Sequence, residues 1–390
     1  MASTPIRIAL IGGGLAGAVL ANALLQVPHV HIEIYESAPE FSERGAAVVL
    51  TSTAQKSLQR AIPSAMGILQ KAGAVSMNST RLVVGSGPEA GTVILDMGQG
   101  GNPGLVMHRA SLLRELLASI PRELLHTNKK LTTISPTAEC VQISFEDGST
   151  CIYDAVIGAD GISSNVRKHV LQDAAAEEWS ATPAGFWDSR ILVPYEKAKS
   201  KLGAEYFELD RQFGWVPKVA GHLSCTIFWR IERCWLGGPI AKGVIDLTLD
   251  QPDPQGYSQW EHKSTSSYAK GNVCIVGDAA HAMTPWQGFG AGMAIEDAMV
   301  LRKLFANIES SKEIGAVFRA FDAVRRYRCE RIIHSSRETG LIFCGQNEEI
   351  RLDVNKFRGS LASRWECIDA IDYESHEEEA LRYLKEHISA

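Results

Sequence analysis

The pattern of apolar and polar positions near the N-terminus predicts a strand, a helix and a second strand in close succession. Residues Ile6 to Ile11 form an apolar run that is typical of a strand buried in a parallel sheet. A stretch rich in Ala and Leu, from Ala18 to Gln26, predicts a helix, and Val30 to Tyr35 predicts the second strand. These segments together have the length of a strand–helix–strand unit, about 30 residues.

Further along the chain, the same periodicities predict strands and helices that belong to the same fold as this first unit. Short apolar strands are predicted at Asp154 to Gly158 and Asn272 to Val276, and short strands joined by turns between Lys130 and Tyr153. Helical periodicity is present in three segments, which are His108 to Ile120, Gly290 to Asn307 and Ile314 to Phe343.

The middle of the chain has a different character. Between Gly185 and Leu249 the pattern predicts mostly short strands with aromatic residues, and Gln251 to Gly256 predicts a loop. These strands do not fit the alternation of strands and helices on either side. We therefore expect a nucleotide-binding fold assembled from separated segments, with a second sheet inserted between them and helices at the end.

A glycine loop, Gly12 to Gly17, connects the first strand to the first helix with the pattern G-x-G-x-x-G. Gly12 permits the tight turn, Gly14 lets the backbone approach a pyrophosphate, and Gly17 lets the helix pack against the strand. The helix N-terminus then presents N–H groups to the phosphates. Glu36 ends the second strand, where a carboxylate can accept hydrogen bonds from ribose hydroxyls. Together these features predict a dinucleotide site, without distinguishing FAD from NAD.

Composition and charge exclude several other classes of protein. The net charge is −6, which argues against nucleic acid or an anionic membrane as a partner. No apolar run approaches the roughly 20 residues of a membrane helix, and the first five residues lack a basic leader, so we expect no membrane span and no secretion signal. The eight cysteines form no C-x-x-C pair, so we predict no metal site and expect reduced thiols in a cytoplasmic protein.

Two further motifs connect these segments to a known family. Residues 154 to 167 contain Asp160-Gly161, and residues 275 to 297 contain Gly277-Asp278 followed by a glycine-rich stretch. The chain resembles the group A flavoprotein monooxygenases, the family of para-hydroxybenzoate hydroxylase and salicylate hydroxylase, whose DG and GD motifs these are. The three motifs occur in the family's order, and the sequence of the last motif is most similar to that of fungal salicylate-hydroxylase-like enzymes.

The resemblance implies FAD as cofactor and NAD(P)H as co-substrate, and it implies roles for particular residues. Asp278, at the end of a strand, is in a position to hold a ribityl hydroxyl of FAD, and the following helix N-terminus can stabilise negative charge on the reduced flavin. The remaining residues that the resemblance places at the cofactor are Ala47, Arg109, Asp160, Ala291 and Gly292. The family's histidine, here His281, is implied to be part of the scaffold.

Each of these residues also has a structural interpretation. Asp160 can be a turn former beside Gly161, Asp278 can cap a helix, and Arg109 can be an ordinary arginine of a first helical turn. On the substrate side, Arg190 resembles the family's substrate-facing arginine, which would hold a phenolate or carboxylate as its catalytic contribution. A structural salt bridge is the alternative for Arg190.

The implied fold is α/β, a Rossmann-like FAD-binding fold with an inserted, mostly β substrate domain and C-terminal helices. We assign residues 1–180 and 270–345 to a discontinuous FAD-binding domain, 181–269 to a substrate-binding sheet, and 346–390 to a C-terminal helical segment. The implied activity is hydroxylation of a phenolic or aromatic-acid substrate through a C4a-hydroperoxyflavin, with O2 consumed. The alternatives are an epoxidase or polyketide hydroxylase of the same fold, or a degenerate FAD-binding protein without turnover.

Overall fold

The computed structural model of the protein describes residues 5–42, 47–77, 81–83, 89, 92–96, 104–203, 222–229, 239–351 and 353–389. The strands are β1 (Ile6–Ile11), β2 (Val30–Tyr35), β3 (Ala47–Leu50), β4 (Val75–Ser76), β5 (Arg81–Val83), β6 (Val93–Asp96), β7 (Leu105–His108), β8 (Leu125–His126), β9 (Leu131–Pro136), β10 (Val141–Phe145), β11 (Thr150–Tyr153), β12 (Ala155–Gly158), β13 (Thr182–Pro194), β14 (His222–Trp229), β15 (Tyr257–Glu261), β16 (Ala269–Lys270) and β17 (Val273–Ile275).

The helices are α1 (Leu15–Leu24), α2 (Ser52–Ala61), α3 (Ala65–Lys71), α4 (Arg109–Ala118), α5 (Asn165–Val170), α6 (Ala176–Trp179), α7 (Tyr195–Leu202), α8 (Pro239–Leu249), α9 (Asp278–His281), α10 (Gly290–Phe305), α11 (Ile314–Phe343), α12 (Val354–Ala362), α13 (Glu366–Asp369) and α14 (Tyr373–Ser389). A short 3-10 turn, Pro285–Gln287, precedes α10.

A six-stranded sheet with the order β16-β17-β12-β1-β2-β8 forms the centre of the molecule. Its strands come from distant parts of the chain, and β1 pairs in parallel with both β2 and β12 while β17 pairs in parallel with β12. Five of the six residues of β1 are buried because α1 and the β9–β11 meander both pack against the sheet. The predicted Rossmann-like fold is confirmed.

Helices α1 and α10 extend the hydrophobic core outward from the sheet. Nine of the ten residues of α1 are buried, which explains its near absence of polar side chains. This helix begins three residues before the predicted Ala18. The predicted start is too late because glycine has a low helix propensity, yet Gly17 lies inside the first helical turn. The predicted strands Ile6 to Ile11 and Val30 to Tyr35, and the helix Ile314 to Phe343, are confirmed with their predicted bounds.

The inserted region is built on a three-stranded antiparallel sheet with the order β14-β13-β15. The prediction of mostly short strands between Gly185 and Leu249 was wrong for this region: β13 is a single strand of 13 residues, and α7 and α8 are helical. Tertiary packing overrides local propensity here, since a Cβ on Gly243 would lie 2.6 Å from Cδ2 of Leu202. The two helices are therefore close together at that position, and a larger residue there would displace the end of the Leu202 side chain.

The remaining elements agree with the sequence patterns. Strands β9, β10 and β11 form an antiparallel meander between Lys130 and Tyr153, as predicted. Among the described residues, no helix combines the length and the apolar character that crossing a bilayer requires. The domain boundaries proposed above stay predictions.

Candidate functional site

The glycine loop makes its turn with a backbone that admits no side chain at two of its positions. Gly12 has a φ of +108°, and a Cβ there would lie 2.3 Å from the carbonyl oxygen of Ala159. A Cβ on Gly17 would lie 2.1 Å from the carbonyl oxygen of Gly12. No side chain caps α1 at Gly14. The first turn of α1 is therefore held close to β1 and open to a ligand's phosphates.

Glu36 lies beside this loop, as predicted. Its Oε2 accepts a hydrogen bond of 2.8 Å from the backbone N–H of Gly13, and its Oε1 accepts from the N–H of Ala38 and the hydroxyl of Ser37. A carboxylate has about four acceptor positions, so three are already used. The remaining position, on Oε2, is available to a single ribose hydroxyl.

The structure brings the three sequence motifs together at the carboxyl ends of neighbouring strands. The N–H of Ala159 donates to the carbonyl of Ile11 at 2.7 Å, which joins the loop after β12 to the loop after β1. A Cβ on Gly277 would lie 2.7 Å from Cβ of Ala16, which places the loop after β17 against the start of α1. In a parallel α/β sheet this edge is where ligands bind.

The carboxylate of Asp160 holds the turn that leads into α5, which agrees with its alternative interpretation as a turn former beside Gly161. Its carboxylate accepts hydrogen bonds from the backbone N–H groups of Asn165 and Val166, at 2.8 and 3.2 Å, and from the hydroxyl of Ser164. Burial raises the pKa of Asp160, although these hydrogen bonds oppose the rise. The side chain thus fixes the loop that touches Gly12, and any contact with a cofactor stays a prediction.

Asp278 has a different environment. It is the first residue of α9, it is exposed, and its carboxylate forms no ion pair with any described residue. Gly277 before it has a φ of +58° and donates its N–H to Oδ2 of Asp297 at 3.0 Å. An exposed carboxylate held on a rigid turn beside the glycine loop is suited to receive the hydroxyl of a bound molecule.

Two other predicted cofactor residues are neighbours. Ala47 pairs with His108 in the antiparallel β3–β7 ladder, so it lies next to Arg109, the first residue of α4. Both residues are half-buried. Their adjacency allows both residues to contact the same ligand.

The predicted flavin-proximal segment begins α10. Gly288 adopts a left-handed conformation with a φ of +66°, and Phe289 precedes the helix without a side-chain cap. Ala291 is half-buried and Gly292 is buried, where a Cβ would lie 2.4 Å from the ring of Phe289. The helix N-terminus is therefore formed as predicted.

Arg190 lies on β13, where its backbone pairs with Thr226 of β14. Its side chain lies outside the described residues. Phe186, four residues earlier on the strand, contacts Trp286 edge-on with ring centroids 5.2 Å apart. Because side chains alternate along a strand, positions 186 and 190 are on the same face of β13, the face that packs against the turn before α10.

Arg167, the last residue of the segment that contains Asp160-Gly161, supports the site in a way that the sequence pattern does not indicate. It is fully buried and donates to the carbonyls of Ala279 and Ala280, at 3.0 and 2.9 Å, and to the hydroxyl of Thr265. Burial lowers the pKa of Arg167 to about 10, so it stays charged at neutral pH. This arginine ties the loop containing Asp278 to the loop after β12.

A buried ion-pair network supports the same loop from the other side. Arg325, fully buried on α11, bonds Asp297 at 2.9 Å and Glu296 at 2.7 Å, and Arg328 also holds Glu296. His281 Nε2 lies 2.6 Å from Oδ2 of Asp297. The network connects α9, α10 and α11 through charged side chains that are fully buried, except for Arg328, whose side chain is 15% exposed.

The charges in this network are set by their neighbours. Burial alone would raise the pKa of Asp297, but His281 and Arg325 lower it to about 2. Burial lowers the pKa of His281, whereas Cys329 and Asp297 raise it, with a net result well above its ordinary value. The ligand atoms of His281, Asp297 and Cys329 lie within 4.8 Å of one another, but the guanidinium of Arg325 already supplies positive charge there. We assign these groups to the scaffold.

His262, the residue after β15, gives a testable pH dependence. It is fully buried, and burial followed by the charges of Arg167 and His281 lowers its pKa to about 3. In the unfolded chain its pKa is about 6.5. The unfolded state therefore binds the proton more tightly, and the stabilisation from neutral His262 is complete above pH 6.5 and is lost as the pH falls towards 3. At pH 5 the expected loss is about 2 kcal/mol.

Denaturant unfolding at pH 7.5 and pH 5.0 measures this loss. We expect His262→Phe to lose less stability between the two pH values than the unmodified protein. His31→Phe, at a histidine whose side chain is 44% exposed, is the matched control and should keep the full dependence. Equal pH dependence in all three proteins would refute the assignment.

The residues present fit FAD on structural grounds. The glycine positions form a turn that a Cβ would fill, α1 starts without a side-chain cap, and Glu36 and Asp278 offer acceptors on either side of α1. Together these groups match the phosphates, ribose and ribityl chain of a flavin dinucleotide.

Comparison with known proteins agrees with this geometry. A family model described as "FAD binding domain" matches residues 243–336. The chain is 32% identical to the 6-methylsalicylate 1-monooxygenase of Aspergillus terreus, over 97% of this chain and 92% of that protein. It is 30% identical to an FAD-dependent monooxygenase of Monascus ruber, over 90% of each.

Solved structures share the fold. A salicylate hydroxylase in complex with its substrate superposes with a TM-score of 0.81 at 23% identity, covering 97% of this chain and 98% of that one. HpxO of Klebsiella pneumoniae, complexed with FAD and uric acid, gives a TM-score of 0.74 at 21% identity, covering 96% and 97%. On the strength of the match to its Aspergillus relative over nearly the whole chain, the protein belongs to the FAD-dependent monooxygenases, in the salicylate-hydroxylase-like group of aromatic hydroxylases.

Proposed function

We propose that this enzyme uses NAD(P)H and O2 to hydroxylate a phenolic or aromatic-acid substrate, with FAD held at the carboxyl edge of the central sheet. The observation that carries the proposal is the convergence of the three motif loops, in which Gly12 touches Ala159 and Gly277 touches Ala16. Bound FAD would supply the redox chemistry, which is reduction by NAD(P)H and activation of O2. The protein's own residues bind the cofactor, orient the substrate and shield both from water.

The binding roles follow from position. The N–H groups of the first turn of α1 receive the pyrophosphate, and Glu36 Oε2 accepts a ribose hydroxyl. Asp278 accepts a ribityl hydroxyl. Ala47 of β3 and Arg109 of α4 contact the cofactor together. The N-terminus of α10, with Ala291 and Gly292, stabilises negative charge on the reduced ring.

The substrate lies between the inserted sheet and the turn before α10. The contact of Phe186 with Trp286 supports this placement, because it joins β13 to the Pro285–Gln287 turn. Arg190, on the same face of β13, holds a phenolate or carboxylate and favours the electron-rich, ionised ring. The names of the Aspergillus relative and the salicylate hydroxylase support a hydroxylated benzoic acid as the substrate class.

We also propose a cytoplasmic location for the enzyme. The cysteines that the structure describes at positions 140, 151, 274, 329, 344 and 367 are all free thiols. Free thiols are typical of reducing compartments.

Replacing Asp278 by alanine should weaken FAD binding without destabilising the fold. The carboxylate is exposed and unpaired among the described residues, so its loss leaves no buried group unsatisfied. A hydrogen bond to a charged group contributes about 1.5–3 kcal/mol, so we expect the Kd for FAD to rise roughly 10- to 100-fold. Fluorescence titration of the apoprotein with FAD measures this. Asp253→Ala, at an exposed carboxylate in a loop of the inserted region, should bind FAD normally; an unchanged Kd in Asp278→Ala would refute the role.

The proposed activity is tested by NAD(P)H oxidation with purified holoenzyme. A panel of phenolic acids and their non-phenolic analogues is added one at a time, and products are identified by mass spectrometry. The proposal predicts that a phenolic acid accelerates NAD(P)H oxidation and gains one oxygen. A protein purified without flavin absorbance, or one that oxidises NAD(P)H at the same rate with every compound, would contradict it.

A further inference from the structure

Strand β15 carries buried polar atoms that have no hydrogen-bond partner in the part of the chain that the structure describes. Gln259 is 5% exposed and Glu261 is 6% exposed. Neither amide atom of Gln259 makes a hydrogen bond, and Oε2 of Glu261 makes none. Buried polar groups are nearly always hydrogen-bonded, because removing them from water without a replacement is costly. Three unsatisfied atoms on one short strand therefore point to a ligand that supplies the missing partners.

The register of β15 places these atoms beside the proposed substrate region. Ser258 and Trp260 pair with Trp187 and Pro183 of β13 across a register shift. Gln259, between them, is buried like Phe186, whereas Trp260 is exposed, so Gln259 and Phe186 lie on the buried face of the sheet. Phe186 on this face contacts Trp286, in the turn before α10. Gln259 is thus on the side of the sheet that faces the flavin-proximal turn.

Glu261 lies two residues further along β15 and on the same face, about 7 Å from Gln259 along the strand. Its Oε1 forms an ion pair with Arg337 of α11, which leaves Oε2 free. Burial raises the pKa of Glu261, while Arg337 and Lys263 oppose the rise. Arg337 therefore holds the carboxylate at Oε1, and Oε2 is available to a ligand.

We propose that Gln259 and Glu261 bind the phenolic hydroxyl of the substrate, an inference that rests on the function proposed above. Two of the three free atoms, Nε2 of Gln259 and Oε2 of Glu261, are complementary to this group. The amide N–H of Gln259 requires an acceptor, and Oε2 of Glu261 requires a donor. A phenolic hydroxyl offers both, since its oxygen accepts from the amide while its proton is donated to the carboxylate.

The same chemistry excludes a substrate carboxylate from this position. A carboxylate has no proton to donate to Glu261 at neutral pH and would bring a second negative charge next to it. The carboxylate of an aromatic acid would therefore lie on the side of the hydroxyl that is turned away from Glu261, towards position 190. In 6-methylsalicylate the two groups are neighbours on the ring, so the hydroxyl alone would meet Gln259 and Glu261, which fixes the orientation of the ring.

Binding experiments on purified holoenzyme test this without turnover. The probes are 6-methylsalicylate and 2-methylbenzoate, which differ by the phenolic hydroxyl, and the readout is the change in flavin absorbance in the absence of NAD(P)H. We expect Gln259→Leu and Glu261→Gln to raise the Kd for 6-methylsalicylate by about tenfold or more and to leave the Kd for 2-methylbenzoate within a few-fold of the original. Trp260→Phe, on the opposite face and 44% exposed, should change neither.

Thermal unfolding separates ligand binding from a structural role. In substrate-free holoenzyme, Gln259→Leu removes two unsatisfied buried atoms, so its midpoint should be unchanged or higher. A lower midpoint together with an unchanged Kd for 6-methylsalicylate would overturn the inference. If the unmodified enzyme binds and hydroxylates phenolic acids while both variants keep its preference for the hydroxylated probe, only this inference fails. An unmodified holoenzyme that bound neither acid would overturn the proposed function as well.

Discussion

Replacing Gly12 by alanine is expected to abolish tight FAD binding. The residue has a φ of +108°, which strains any side chain, and its Cβ would lie 2.3 Å from the carbonyl oxygen of Ala159. Backbone cannot move aside as a flexible side chain can, so the loops after β1 and β12 must separate. We expect the Kd for FAD to rise at least 100-fold, corresponding to about 3 kcal/mol, and the ratio of flavin to protein absorbance after purification to fall accordingly.

Gly67→Ala is the matched control for this change. Gly67 lies within α3, and a Cβ there would meet nothing within 4 Å. Alanine has the higher helix propensity, so this variant should be as stable as the unmodified protein or more stable by up to about 1 kcal/mol. FAD retention in Gly12→Ala equal to that in Gly67→Ala would show that the glycine loop does not hold the cofactor.

The second large effect is expected at Arg325. Arg325→Met removes the buried cation that both Glu296 and Asp297 bond, and leaves these carboxylates with less compensation. Breaking a buried pair from one side costs about 3–5 kcal/mol. Denaturant unfolding should show a loss of this size. Because Asp297 also accepts from the N–H of Gly277, we further expect weaker FAD binding.

Arg326→Met provides the comparison on the next residue of α11. Arg326 pairs with Asp322 one turn earlier, its side chain is 35% exposed, and such pairs contribute at most about 1 kcal/mol. The two variants remove the same charge from adjacent positions, so burial is the main difference between them. Equal stability of Arg325→Met and Arg326→Met would contradict the scaffold role of the network.

The sequence predicted those parts of the fold in which local pattern and tertiary environment agree. β1 is apolar because the sheet is covered on both faces, and the 30 residues of α11 keep one helical period throughout. The glycine loop, Glu36 and Asp278 could be placed near one another because carboxyl ends of parallel strands meet at one edge. These predictions need no knowledge of distant contacts.

Other features could not be predicted because they depend on which surfaces meet. The helix α8 contains Gly243 and several β-branched residues, and it is helical because it packs on α7. Nothing in the sequence distinguishes Arg167 and Arg325 from surface arginines, and only the fold shows that both are fully buried. The sequence also did not show that the carboxylate of Asp160, which is predicted to lie at the cofactor, accepts hydrogen bonds from the first two N–H groups of α5.

Oxygen labelling tests the central claim, that the enzyme inserts an oxygen atom from O2 into an aromatic substrate. Purified holoenzyme is given NAD(P)H, a phenolic acid that stimulates NAD(P)H oxidation, and 18O2. The account predicts a hydroxylated product that carries one 18O atom from the gas, and no label when 18O is supplied only as water. NAD(P)H oxidation that yields hydrogen peroxide alone, with unlabelled and unchanged phenolic acid, would contradict it.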